Sequence, residues 1–77
     1  MSHDKTARMA NQIAAFFASK PHDEGVAGVA EHINKFWEPR MRARLFVIFE
    51  SEPDVLHEFV RAAMPSIRPV PAESVGG

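Results

Sequence analysis

Apolar residues recur along this chain at helical spacing. Met9, Ile13, Phe16 and Phe17 fall three and four apart, on one face of a 3.6-residue period. Ala7, Ala10, Ala14, Ala15 and Ala18 add helix propensity, so a first helix is predicted over residues 4–19, with Ser2 or Asp4 as its cap. Lys20-Pro21 ends it, because a residue preceding proline disfavours the helical region. Val26, Val29, Ala30, Ile33, Phe36 and Trp37 predict a second helix over 24–37, with Asp23 as the expected cap. Gly25 and Gly28 stand in its first turn, where each costs roughly 1 kcal/mol against alanine. Close approach of another helix compensates that cost. A backbone clamp for nucleic acid is the competing use of Gly-x-x-Gly, and here no basic residue adjoins it.

Pro39 suits the first turn of a third helix, where its missing N–H is not needed. Met41, Leu45, Ile48 and Phe49 make one stripe, and Phe46 and Val47 lie off it, so this helix is apolar nearly all round and implies burial on more than one side. Phe46 to Phe49 also has strand propensity, but no partner run exists to pair with it. Ser51-Glu52-Pro53-Asp54 reads as the start of a fourth helix, which Val55, Leu56, Phe59, Val60 and Ala63 carry to about Met64. From Pro65 the period is lost among Pro69, Pro71 and Gly76-Gly77. The expectation is an all-α fold: a small bundle of about four short helices, one domain over 1–64, and a Pro-rich extended tail over 65–77.

Seventy-seven residues hold one small domain, which buries roughly 60% of its unfolded surface. The absence of cysteine removes disulfides, thiolate metal sites and a catalytic thiol, and favours an intracellular setting. No apolar run is long enough for a membrane span, and the polar start lacks a signal-peptide core. A net charge of −1 argues against nucleic acid as the partner. The chain has six Phe, four Met and one Trp but only two Leu, a mix weighted toward the residues enriched at protein interfaces.

Candidate chemistry is sparse. His3, His22, His32 and His57 stand at no metal-ligand spacing, and the serines fall at helix ends, where capping explains them better than nucleophilic catalysis. The expectation is therefore no catalytic, cofactor or metal residues in this chain. The dense feature is a corner, Phe36-Trp37-Glu38-Pro39-Arg40-Met41-Arg42-Ala43-Arg44. Arg40 and Arg44 share a face, Arg42 points roughly away, and Glu38 is placed to pair with Arg42. Trp and Arg dominate binding hot spots, and arginines at a helix start oppose its dipole unless acidic groups lie nearby. The expected partner-binding residues are Phe36, Trp37, Pro39, Arg40, Met41, Arg42 and Arg44, with Phe46 and Phe49 from the apolar helix. The alternative is a small helical nucleic-acid-binding or regulatory protein using the Arg40–Arg44 cluster.

Arg8-Met9-Ala10-Asn11-Gln12-Ile13 with Phe16-Phe17, Val29-Ala30, His32-Ile33, and Phe36-Trp37 with Pro39-Arg40-Met41-Arg42 together resemble the delta subunit of NAD-dependent, molybdenum-containing formate dehydrogenase, over roughly residues 4–64. The resemblance implies a non-catalytic accessory subunit of a soluble complex that oxidises formate to carbon dioxide and passes the electrons to NAD. It implies a large catalytic (alpha) subunit as partner, carrying molybdopterin guanine dinucleotide and iron–sulfur clusters. FMN and the NAD site would lie in further subunits. The implied role is to stabilise that assembly or to help it mature.

Overall fold

The computed structural model describes residues 4–70. It is helical throughout, with α1 (Asp4–Phe17), α2 (His22–Phe36), α3 (Pro39–Ser51), a 3₁₀ turn (Pro53–Val55), α4 (Glu58–Ala63) and a second 3₁₀ turn (Met64–Ser66). The strand reading of Phe46 to Phe49 is set aside, since these residues lie inside α3. Helix α2 is central, packed against both α1 and α4, while α3 packs against α1. The Ser2 cap lies outside the described residues. Asp23 is not the cap of α2: the helix starts at His22 behind Pro21, and Asp23 and Glu24 put negative charge in its first turn.

Helix α1 is built around its alanines. Ala7, Ala10 and Ala14 are buried, whereas Met9 and Phe16 are exposed. Small inward side chains let α1 lie close to its neighbours, and the glycines of α2 extend the same principle. A Cβ on Gly25 would strike the Phe59 ring and sit 2.8 Å from the Phe17 carbonyl oxygen. On Gly28 it would lie 2.5 Å from the Phe17 ring. Both glycines are thus places where another element comes too near for a side chain.

The fourth helix departs from the expected 51–64. Ser51 does not cap it; it is the last residue of α3, and its hydroxyl donates to the Val47 carbonyl at 2.8 Å. The chain then makes one 3₁₀ turn, and Leu56 adopts extended backbone (φ −100°, ψ 138°) with its side chain buried. Helix α4 starts two residues later. His57 is its cap, with Nδ1 accepting the Phe59 N–H at 3.0 Å. Asn11 of α1 stabilises the break. Its amide Nδ2 donates to the Val55 carbonyl at 2.9 Å, and its Oδ1 accepts the His57 N–H at 2.7 Å. One side-chain amide thereby satisfies the backbone on both sides of Leu56.

Asn34 of α2 repeats the device after Pro65. Its Nδ2 donates to the Ser66 carbonyl at 3.0 Å, and its Oδ1 accepts the Arg68 N–H at 2.8 Å. Between them Ile67 is extended (φ −85°, ψ 131°) and 2% exposed. The stretch after Pro65 is therefore anchored as far as Arg68, and Ile67 belongs to the core that the helices build. The expected tail beyond Val70 lies outside the described residues.

Two predictions follow from this packing. Asn11→Ala and Asn34→Ala each remove two hydrogen bonds and should each cost about 1–3 kcal/mol, read as a fall in the thermal unfolding midpoint by circular dichroism. Unchanged midpoints would show that Leu56 and Ile67 hold their segments without the amides. Gly25→Ala should destabilise despite the better helix propensity of alanine, because a backbone carbonyl blocks the new Cβ. Gly28→Ala should be milder, since it meets only the half-buried ring of Phe17, which has room to move.

Candidate functional site

Two neighbouring features stand out on the surface. The first is a groove of about 480 Å³ lined by Met9, Gln12, Ile13, Phe16, Phe17, His32 and Trp37. Helix α1 supplies most of one wall and α2 the other. Phe16 is 71% exposed and meets Phe17 edge to face, with ring centroids 5.0 Å apart. Phe36 is 69% exposed and lies beside His32, with ring centroids 4.8 Å apart. Large apolar side chains are normally sequestered from water, and scattered single exceptions are unremarkable. Here Met9 and Phe16 sit around one concavity, Phe36 stands beside its lining residue His32, and no lining residue carries a fixed charge.

The second feature is the corner between α2 and α3, and the structure divides its residues. Trp37 is buried at 6% exposure, within the chain's own core, and it also lines the groove. Phe36, Pro39, Arg40 and Arg44 are exposed, while Met41, Arg42, Phe46 and Phe49 are half-buried. Met41, Phe46 and Phe49 pack against the core from its edge. Leu45 and Ile48 carry the buried side of α3, while Val47 stays exposed, so this helix is not enclosed all round.

Arg42 does not pair with Glu38. Its Nη1 donates to the Trp37 carbonyl at 3.4 Å, tying the start of α3 back to the end of α2. Its Nε is buried without an acceptor. The Lys20–Glu24 ion pair and the His22–Asp23 contact lie at the start of α2, and Arg40, Arg42 and Arg44 have no ion pair among the described residues. Arg40 and Arg42 thus stand in the first turn of α3, where cations oppose the helix dipole, with Arg44 further along and Glu38 at the N-cap as the acid beside them.

The family model described as NADH-dependant formate dehydrogenase delta subunit FdsD matches residues 5–64. The chain belongs to that family. The match spans α1 to α4 and so includes both walls of the groove and the whole arginine corner. Among curated proteins none matches. The family is that of one subunit of a formate dehydrogenase complex, so a surface suited to a protein neighbour is the relevant kind of site. Among the described residues, no group of three or more His, Cys, Asp and Glu is placed to hold a metal. No described helix is long and apolar enough to cross a membrane.

The groove was not found from sequence. Its signal was the adjacent pair Phe16-Phe17: neighbours about 100° apart around a helix cannot both face one narrow core. Phe16→Gln should leave stability within about 0.5 kcal/mol of the parent. Trp37→Ala should cost about 3–5 kcal/mol, close to the whole stability of a domain this small. Urea unfolding of both variants checks this. Equal effects would mean that Trp37 is not a core residue of the isolated chain.

Proposed function

We propose that this chain is a non-catalytic accessory subunit that docks on the large molybdenum-containing catalytic subunit of a cytoplasmic formate dehydrogenase complex. There it stabilises the assembly or helps it mature. In this reading the redox groups (molybdopterin guanine dinucleotide, iron–sulfur clusters and FMN) lie in the partner subunits. The observation that carries the proposal is family membership together with the exposure of Met9 and Phe16 on α1, a helix whose alanines are buried and whose Ile13 and Phe17 pack at the core edge. Two large apolar side chains exposed on one helix leave hydrophobic contact unused until a partner covers them.

At the corner, Arg40 and Arg44 reach out to carboxylate or carbonyl oxygens of the large subunit, and Phe36, Pro39 and Met41 shape the surface around them. Phe46 and Phe49 extend it along α3. Trp37 holds the corner rigid from inside, and Arg42 ties it through the Trp37 carbonyl. Docking costs least when such a surface is already ordered.

The test is co-purification of the complex with a tagged copy of this chain, comparing parent and Arg40→Glu/Arg44→Glu. Both positions are exposed, so folding should be kept. The parent should be recovered in fixed proportion to the large subunit, in material that reduces NAD with formate. Charge reversal should weaken association at least about thirtyfold, the effect of losing a hot spot of about 2 kcal/mol. Equal recovery of the folded variant would remove the corner from the interface. Absence of the parent chain from active complex would overturn the accessory-subunit reading.

A further inference from the structure

We propose that the groove between α1 and α2 seats an amphipathic helix of another subunit, with its apolar stripe along Met9, Ile13 and Phe16 and its carboxylates at the arginine corner. This rests on the accessory-subunit reading and adds to it the surface used and the chemistry of the segment received.

The spacing is the first argument. Met9, Ile13 and Phe16 stand at i, i+4 and i+7, which puts their side chains in one row over two turns of α1. A helix lying alongside meets such a row with its own i, i+3, i+4 and i+7 positions. The row lies off the buried set Ala7, Ala10 and Ala14: Ile13 packs at the edge of the core, and Met9 and Phe16 stand exposed on either side of it along the helix.

Electrostatics then select the occupant. The groove is lined without a fixed charge, so a charged segment would be desolvated there with nothing to compensate it. At its Trp37 end the surface changes character. Trp37 lines the groove, and its carbonyl accepts from Arg42, whose Nε–H is buried without an acceptor. Arg40 and Arg44 stand on the same short helix start, exposed and without ion pairs among the described residues. The groove is thus neutral and apolar, and the cationic corner adjoins it through Trp37. Together they fit a helix whose apolar stripe runs into Asp or Glu. A second copy packed parallel on α1 would set Lys5 and Arg8 against their own counterparts, and a second copy in any orientation is an outcome of the test below.

Photocross-linking in the assembled complex tests this. A benzophenone amino acid replaces Phe16, where exposure leaves room for it, or Ala62, which is exposed on α4 outside the groove, as the control. Recovery of the tagged chain with the large subunit is measured first and reports on the accessory-subunit reading alone. The expected result is a cross-link from position 16, absent from position 62, to a helical peptide of another subunit that carries acidic residues at one end. In parallel, Phe16→Gln should weaken association at least tenfold, with little dependence on salt, whereas the loss from Arg40→Glu/Arg44→Glu should shrink as salt rises. Four outcomes would each overturn the proposal: a cross-link to a second copy of this chain, one to a segment without carboxylates, none in a complex that contains the chain, or full association of Phe16→Gln.

Discussion

Two asparagine side chains hold this small fold closed. A chain of four short helices has to change direction within a few residues, and each change exposes backbone N–H and C=O groups that water must otherwise satisfy. Asn11 and Asn34 solve the problem in the same way. Each offers one donor and one acceptor, and each spans a single extended residue whose side chain enters the core. Leu56 and Ile67 are those residues, and both belong to the buried core cluster. The polar bonds are modest individually. Their value lies in where they place two large aliphatic side chains that no helix could deliver.

This arrangement leaves a thin core, and its thinness shapes the outer surface. Ala7, Ala10 and Ala14 face inward because α1 runs close to its neighbours, and the ring of Phe17 lies against Gly28 in the same tight contact. Close packing uses small side chains efficiently and displaces the large ones. Met9 and Phe16 are displaced outward on α1, and Phe36 outward on α2. An isolated monomer gains nothing from that distribution. In the proposed docking, the same distribution is what a partner subunit would cover.

The arginine corner has a related logic. Pro39 opens α3 where no side chain supplies a cap, and the residues that follow bring positive charge rather than the usual acids. The internal tie from Arg42 to the Trp37 carbonyl keeps the corner in shape. Arg40 and Arg44 remain free to meet a neighbour. Rigidity from within and unpaired charge outside are the two properties that the proposed docking calls for.

The three long helices, the proline boundary before α3 and the glycine contacts on α2 were legible in the residues, because periodicity, proline and glycine act over a few positions. The corner from Phe36 to Arg44 was legible for the same reason. Residues 51–64 misled, since Ser51, Pro53 and Asp54 carry good helix-start chemistry. The true start at His57 depends on an amide from Asn11, forty-six residues away along the chain. Ile67 looked like part of an uncommitted tail because Asn34, which holds its neighbours Ser66 and Arg68, lies 32 and 34 residues away from them. The apolar faces of α1 show the limit most clearly. Local spacing establishes that the helix has them, but which face is buried is settled by how near α2 can come, and that distance is a property of the assembled fold.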